Sequence, residues 1–267
     1  MTTQRQKREI RFHDDYARGV KDTDIVIKRN PSIAAQEYWR ALKLFGNIKN
    51  KRILDLGCGF GDTATIWALR GAKVWGIDIS PVCIKVAKKV AKRYKVSSFC
   101  HFSQMASENL KFPDSYFDFV FGDAILHHVN IPKTLKEVRR VLKPNGIVVF
   151  IDPLSYNPVI NIYRKMAKHV RTEDEKPLTF EDIEGMKSIF RRVRHEEYHL
   201  TTLSLYVWFY LVERVDPNKE RYWKRFRAID GAMELPLKIF TSIDKVLLGL
   251  IYPLRYLCWN TLVILEK

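Results

Sequence analysis

Between residues 52 and 78 the chain runs Arg52-Ile53-Leu54-Asp55-Leu56-Gly57-Cys58-Gly59-Phe60-Gly61-Asp62, then a helix-forming stretch to Leu69, then Lys73-Val74-Trp75-Gly76-Ile77-Asp78. Apolar, β-branched residues that end in a glycine turn predict a strand entering a sharp turn ahead of a helix. Glycines there let the backbone come close to a ligand. An acid at the tip of the following strand can grip two neighbouring hydroxyls, as a ribose diol offers. The stretch therefore predicts an α/β nucleotide-type fold that binds an adenosine-containing cofactor.

The glycine spacing selects the cofactor. Dinucleotide sites read G-x-G-x-x-G and cradle a pyrophosphate on a helix N-terminus. Here the glycines fall at 57, 59 and 61, and Asp55 stands two residues ahead of the first. A carboxylate in that place repels phosphate and suits a cation. S-adenosylmethionine (SAM) carries a sulfonium, an amino group and a ribose diol, and no phosphate. An NAD enzyme is disfavoured on both counts.

The stretches DLGCGFGDTA (55–64), GIDIS (76–80), FPDSYFDFVFGDAILHHV (112–129) and EVRRVLKPNGIVVFIDP (137–153) resemble the class I SAM-dependent methyltransferases, close to the small-molecule "type 11" branch. The resemblance implies a Rossmann-like, seven-stranded, mostly parallel sheet with helices on both faces. It also implies an N-terminal helical cap (1–50), a SAM-binding core (51–202), a helical apolar insertion or lid (203–257) and a last core strand (258–267), antiparallel in the family. The cofactor roles carry over residue by residue. Gly57, Gly59 and Gly61 let the backbone approach the donor. Asp55 sits near its amino group, Asp78 takes the ribose hydroxyls, Ile79 lies against the adenine, and Asp123 faces the methionine end. Relatives often carry an Asp after the third strand to hold the adenine amino group. Ala106 stands there, so the adenine falls to backbone near Met105 and Ala106, or to Gln104 or Glu108.

The periodicity agrees with that layout. Strands are predicted at 52–57, 73–78, 98–103, 117–122 and 147–152, with helices at 62–70, 81–94 and 131–142 between them. Such alternation means a parallel sheet whose ligands sit at the carboxyl ends of its strands. Ser80-Pro81 and Pro132 open helices, and Lys143-Pro144-Asn145-Gly146 is a turn. Further helices are expected over Ile33–Phe45 and Val159–Val170, and a helix start at Thr179. Strands are expected over Val193–Thr201 and Cys258–Leu265.

Methyl transfer needs an acceptor held in line and, where that acceptor carries a proton, a group to receive it. His128, His127 and Asp152 are the candidates. The reaction itself asks for no metal, and the four scattered cysteines, 58, 83, 100 and 258, suggest no zinc site. They also fit a reducing compartment, and the charged N-terminus has no apolar signal core, so a cytoplasmic protein is expected. The formal charge of +16 calls for anionic partners or a solvated basic surface. Arg164, Lys168 and Arg171 are candidates to meet an anionic acceptor. The apolar residues of 203–257 allow three readings: a lid over an amphiphilic acceptor, a face resting on a membrane, or a helical subdomain with its own core. Pro253, Arg255 and Asn260 argue against a spanning helix there. The expected reaction is transfer to an O, N or C atom of a small, amphiphilic or anionic acceptor. An RNA methyltransferase is the alternative the charge supports, although no RNA-binding module is recognisable and no N-P-P-aromatic motif ends the fourth strand. A non-catalytic SAM-binding partner protein is the other alternative.

Overall fold

The structure, a computed structural model, describes residues 2–28, 35–167, 171–172, 174–227 and 234–267. Its centre is a seven-stranded sheet in the order β3-β2-β1-β4-β5-β7-β6. The strands are β1 (Arg52–Leu56), β2 (Lys73–Asp78), β3 (Cys100–Gln104), β4 (Phe117–Asp123), β5 (Leu142–Pro153), β6 (Arg192–Tyr198) and β7 (Asn260–Glu266). β1 to β5 pair in parallel, and β7 runs antiparallel to both β5 and β6.

The central strands explain the order. Ile53, Leu54, Leu56, Val120, Phe121, Val148, Val149 and Phe150 are fully buried, as strands covered on both faces require. One face packs on α2 (Gln36–Phe45), α3 (Asp62–Leu69) and α4 (Pro81–Arg93), where Trp67, Phe45 and Phe121 meet. The other packs on α5 (Ile131–Val141) and α7 (Phe180–Gly185). Ser80 caps α4 by accepting from Cys83 N, and Pro81 sits at its first turn. The strand order reverses between β1 and β4, so a crevice opens at their carboxyl ends.

Several boundaries differ from the sequence expectations. β6 stops at Tyr198 because His199 turns to φ 66°. β3 begins two residues later than expected and extends to Gln104, whose neighbour Met105 donates to Asp78 O. β5 begins at Leu142, ahead of the expected turn, because Leu142 pairs with Phe117; Asn145 still adopts a left-handed φ of 61°. The helix expected from Ile33 runs Gln36–Phe45, and residues 29–34 lie outside the described residues. The helix expected to Val170 is α6 (Pro158–Met166), and residues 168–170, Lys168 included, also lie outside them.

Two features of the fold go beyond those expectations. The first is α1 (Gln4–Arg18), a helix with a capping box between Thr3 and Gln6. The second is the detail of the 203–257 segment. There α8 (Ser204–Leu211), α9 (Tyr222–Arg227) and α10 (Glu234–Leu250) bury Leu205, Tyr206, Phe209, Tyr222, Phe226 and Leu237 against Leu203 and Ile160. Among the described residues no helix is long and apolar enough to cross a membrane.

Candidate functional site

A cavity of about 750 Å³ opens at the carboxyl ends of β1, β2, β4 and β5. It brings together Asp55, Gly57, Gly59, Asp78, Ile79, Met105, Ala106, Asp123, His127, His128 and Asp152. Gly61 does not line it. That residue ends the turn behind the cavity as the N-cap of α3, at φ 76°.

The turn is built for close approach. Gly57 adopts φ 71°, and a Cβ there would lie 2.7 Å from Ile125 Cδ1. At Gly61 an added Cβ would lie 2.8 Å from Ala87 Cβ, so helix α4 also forbids a side chain. Asp78 is clamped from both sides. Gly59 N donates to its Oδ2 at 2.9 Å, and Ser80 N donates to its Oδ1 at 2.8 Å. Burial pushes its pKa up, and nearby His13 and these backbone donors pull the other way.

Asp55 is 2% exposed, and its Oδ2 meets no hydrogen-bond donor among the described residues. Burial drives its pKa well above the usual carboxylate range, and Asp62 and Asp123 add to the rise. This end of the cavity therefore gathers carboxyl groups whose ionisation is held back by burial and by one another. An ammonium or sulfonium relieves that restraint, and a phosphate aggravates it. The orphaned acid, the open backbone at Gly59 and the clamped Asp78 fit a cationic adenosyl donor. Tyr38 Oη donates to Asp123 Oδ2 at 2.5 Å, so α2 closes over this corner.

The side chains expected as adenine partners are engaged elsewhere. Gln104 donates through Nε2 to Ile79 O at 3.1 Å. Glu108 accepts from Gln6 Nε2, Ser107 Oγ and Asn130 N. Met105 and Ala106 line the cavity wall there, with Met105 N donating to Asp78 O at 3.0 Å.

At the other end, β5 delivers Asp152 beneath the turn that follows β4. Asp152 is 1% exposed and accepts from Leu126 N, His127 N and the His127 ring at Nδ1, 2.7 Å away. The pair fixes the loop and the imidazole. His128 lies beside it, its ring centroid 4.1 Å from that of His127. Burial and the neighbouring His127 lower the His128 pKa to about 4. Glu9 approaches His128 from α1. Burial opposes its charge, but close contacts with His128, His13 and Thr172 outweigh that cost and hold it ionised, well below its usual range. His13, one turn on, completes the group.

Glu9 and His13 are site residues absent from the sequence expectations. Their i,i+4 spacing on a capped helix is visible in the sequence, but nothing there says which way that helix faces. The apolar segment also reaches the cavity, through Tyr206 and Arg221. Arg221 lies 3.8 Å over the Tyr16 ring and its pKa is lowered by burial. Arg164, whose pKa burial lowers to about 10, and Arg171 also line the wall; Arg171 pairs with Glu175.

Known proteins are similar to this chain in sequence and fold. A family profile described as "Methyltransferase domain" covers residues 54–150. A demethylmenaquinone methyltransferase of Tropheryma whipplei is 35% identical over 145 residues, 52% of this chain and 58% of its own length. A sterol 4-C-methyltransferase of Caenorhabditis elegans is 31% identical over 110 residues, 41% of this chain and 33% of its own. The chain thus spans less than two thirds of these relatives. A geranyl diphosphate C-methyltransferase from Streptomyces coelicolor shares the fold across 99% of this chain and 98% of that one, with a TM-score of 0.63 at 14% identity. Residues 54–150, which hold the glycine turn and the clamped acid after β2, are therefore a methyltransferase domain similar to those of the class I S-adenosylmethionine-dependent methyltransferases.

Proposed function

We propose that the protein transfers a methyl group from SAM to a small amphiphilic acceptor, drawn from or held at a membrane surface. The observation that carries the donor half is the buried Asp55, whose Oδ2 has no donor among the described residues, beside the clamped Asp78. When bound, SAM supplies an electrophilic methyl carbon on a sulfonium leaving group. Asp55 and Asp123 balance the donor's cationic end, Asp78 receives the ribose hydroxyls, and Ile79 packs on the adenine. Asp152 holds His127 and the loop in place. His128 faces the acceptor side and is the side chain we assign to an acceptor's proton.

Three observations support the acceptor class. The wall beyond the histidines mixes rings and cations: Phe12, Tyr16, Tyr163, Tyr206 and Trp259 beside Arg164 and Arg221. That suits a molecule with an apolar body and an anionic or polar head. Relatives are named for demethylmenaquinone and for sterol, and the solved neighbour carries geranyl diphosphate. The outer face of α10 carries Leu235, Ile239, Ile243, Val246 and Leu250, each 41–79% exposed. At 100° per residue these five share an arc of about 80°. Leu237, Thr241 and Asp244 take the opposite, buried face. Exposed Trp208, Tyr252 and Tyr256 lie on neighbouring segments of the same region. A continuous apolar stripe on a basic protein fits an anionic lipid surface.

The direct test is calorimetry with SAM, followed by labelled SAM with acceptor extracts. We expect micromolar SAM binding and label recovered in the lipid-soluble fraction. No SAM binding overturns the donor assignment. Turnover confined to soluble polar acceptors overturns the acceptor class. A separate prediction concerns the stripe. The double variant Ile239→Glu, Val246→Glu should lose at least tenfold in binding to phosphatidylglycerol vesicles in a flotation assay. Its melting temperature should be unchanged, because both side chains are exposed. Equal flotation of variant and wild type would sink the membrane contact.

A further inference from the structure

We propose that Glu9, His13 and His128 form a divalent transition-metal site at the acceptor end of the cavity. Glu9 and His13 stand four residues apart on α1 and so share one face of that helix. His128 meets them from the turn after β4. Glu9 Oε2 lies 3.5 Å from His13 Nε2 and 3.1 Å from His128 Nδ1. The three donor atoms all fall within 4.8 Å of one another. Ligands at about 2.0–2.2 Å from one ion, at tetrahedral or octahedral angles, stand about 3–3.5 Å apart. The two measured separations match that span.

The hydrogen-bond pattern gives an independent reason. Thr172 Oγ1 donates to Glu9 Oε1 at 2.9 Å and orients the carboxylate. Among the described residues neither Glu9 Oε2 nor His128 Nδ1 completes a hydrogen bond, although they approach each other closely. Glu9 is 3% exposed, so water does not satisfy that oxygen freely. Two lone-pair donors converge without a proton well placed between them, and a cation resolves the conflict. Thr172 then serves as the outer partner that metal-binding carboxylates usually have. A second trio, His127, His128 and Glu175, also converges. Its members are more engaged: His127 holds Asp152, and Glu175 pairs with Arg171.

Two imidazoles and one carboxylate favour zinc, cobalt, manganese or iron over magnesium or calcium, which prefer all-oxygen shells. Three protein ligands leave coordination positions free, as catalytic rather than structural sites do. All three residues line the cavity, so those positions open into it, where an acceptor can reach them. The exogenous ligand is therefore an oxygen donor on the acceptor: a hydroxyl, enol, carboxylate or phosphate oxygen. In the loaded protein His128 is a ligand and not the proton acceptor. Only this catalytic consequence rests on the methyltransferase reading; cation binding itself does not.

The test uses the full chain, stripped with EDTA, and Co²⁺ as probe. We expect one Co²⁺ per chain at micromolar affinity or tighter, with visible d–d absorption, and competition by Zn²⁺ in calorimetry. Glu9→Gln and His13→Asn should each weaken Co²⁺ binding at least tenfold, with far-UV dichroism confirming a folded chain. His101→Ala, an exposed histidine on β3, should leave binding unchanged. No d–d spectrum from folded wild type overturns the site, as does undiminished binding in both variants. SAM affinity measured on the stripped chain tells this failure apart from failure of the donor assignment.

Discussion

Asp78→Ala should weaken SAM binding at least a hundredfold in calorimetry. The carboxylate is held by two backbone donors, so it is oriented ahead of any ligand's arrival. Each hydrogen bond from a hydroxyl to such a charged acceptor contributes about 1.5–3 kcal/mol. Losing two of them multiplies Kd by roughly two powers of ten or more. The variant also strands Gly59 N and Ser80 N, which loosens the glycine turn. Asp78→Asn keeps one acceptor oxygen and should fall between, about tenfold weaker than wild type. Thermal melts on both variants separate lost contact from lost fold. Unchanged affinity in a folded Asp78→Ala protein would remove the ribose assignment.

The largest expected loss of stability lies far from the glycine turn, at Glu37. This glutamate on α2 is 2% exposed. Its Oε1 accepts from His199 Nε2 and from Asn260 Nδ2, each at 2.9 Å. His199 is itself 2% exposed and also contacts Thr202, so the cluster joins α2 to the ends of β6 and β7 and to the start of the apolar segment. Removing Glu37 leaves His199 Nε2 and Asn260 Nδ2 buried without the oxygen they donate to. Glu37→Ala should cost about 3–5 kcal/mol. For a chain of this size that is roughly a 10 °C fall in Tm by calorimetry. Glu37→Gln keeps the accepting oxygen and should cost under half as much. A Glu37→Ala protein that melts within about 2 °C of wild type would show the cluster to be dispensable.

These two residues also differ in how visible they are in the sequence. Asp78 stands out by its place at the tip of an apolar run, two residues ahead of a Ser-Pro helix start. Its partners, Gly59 N and Ser80 N, come from the same short segment. Glu37 carries no such signal. Its partners lie 162 and 223 residues away in sequence, and no periodicity reports such a distance.

The same contrast runs through the site. The glycine turn, Asp55 and the acids at the strand ends are local signals, because burial and turn geometry impose a residue type at each position. The central strands are equally plain, since a strand covered on both faces must be apolar throughout. Helix α1 is not, although its capping box is written in Thr3 and Gln6. Its sequence is mostly polar, and the side chains that matter, Glu9 and His13, look like ordinary surface residues. In the fold both line the cavity, Glu9 almost wholly covered.

A parallel α/β core, a glycine turn and a donor site that prefers a cation are therefore legible residue by residue, because burial on both faces and turn geometry impose a residue type at each position. What stands opposite the donor is not. Folding lays α1 across the crevice, sets Glu9 and His13 against His128, and turns the apolar residues of α10 outward. Those outcomes depend on which helix face meets the sheet, and that choice is made by long-range burial rather than by any local pattern.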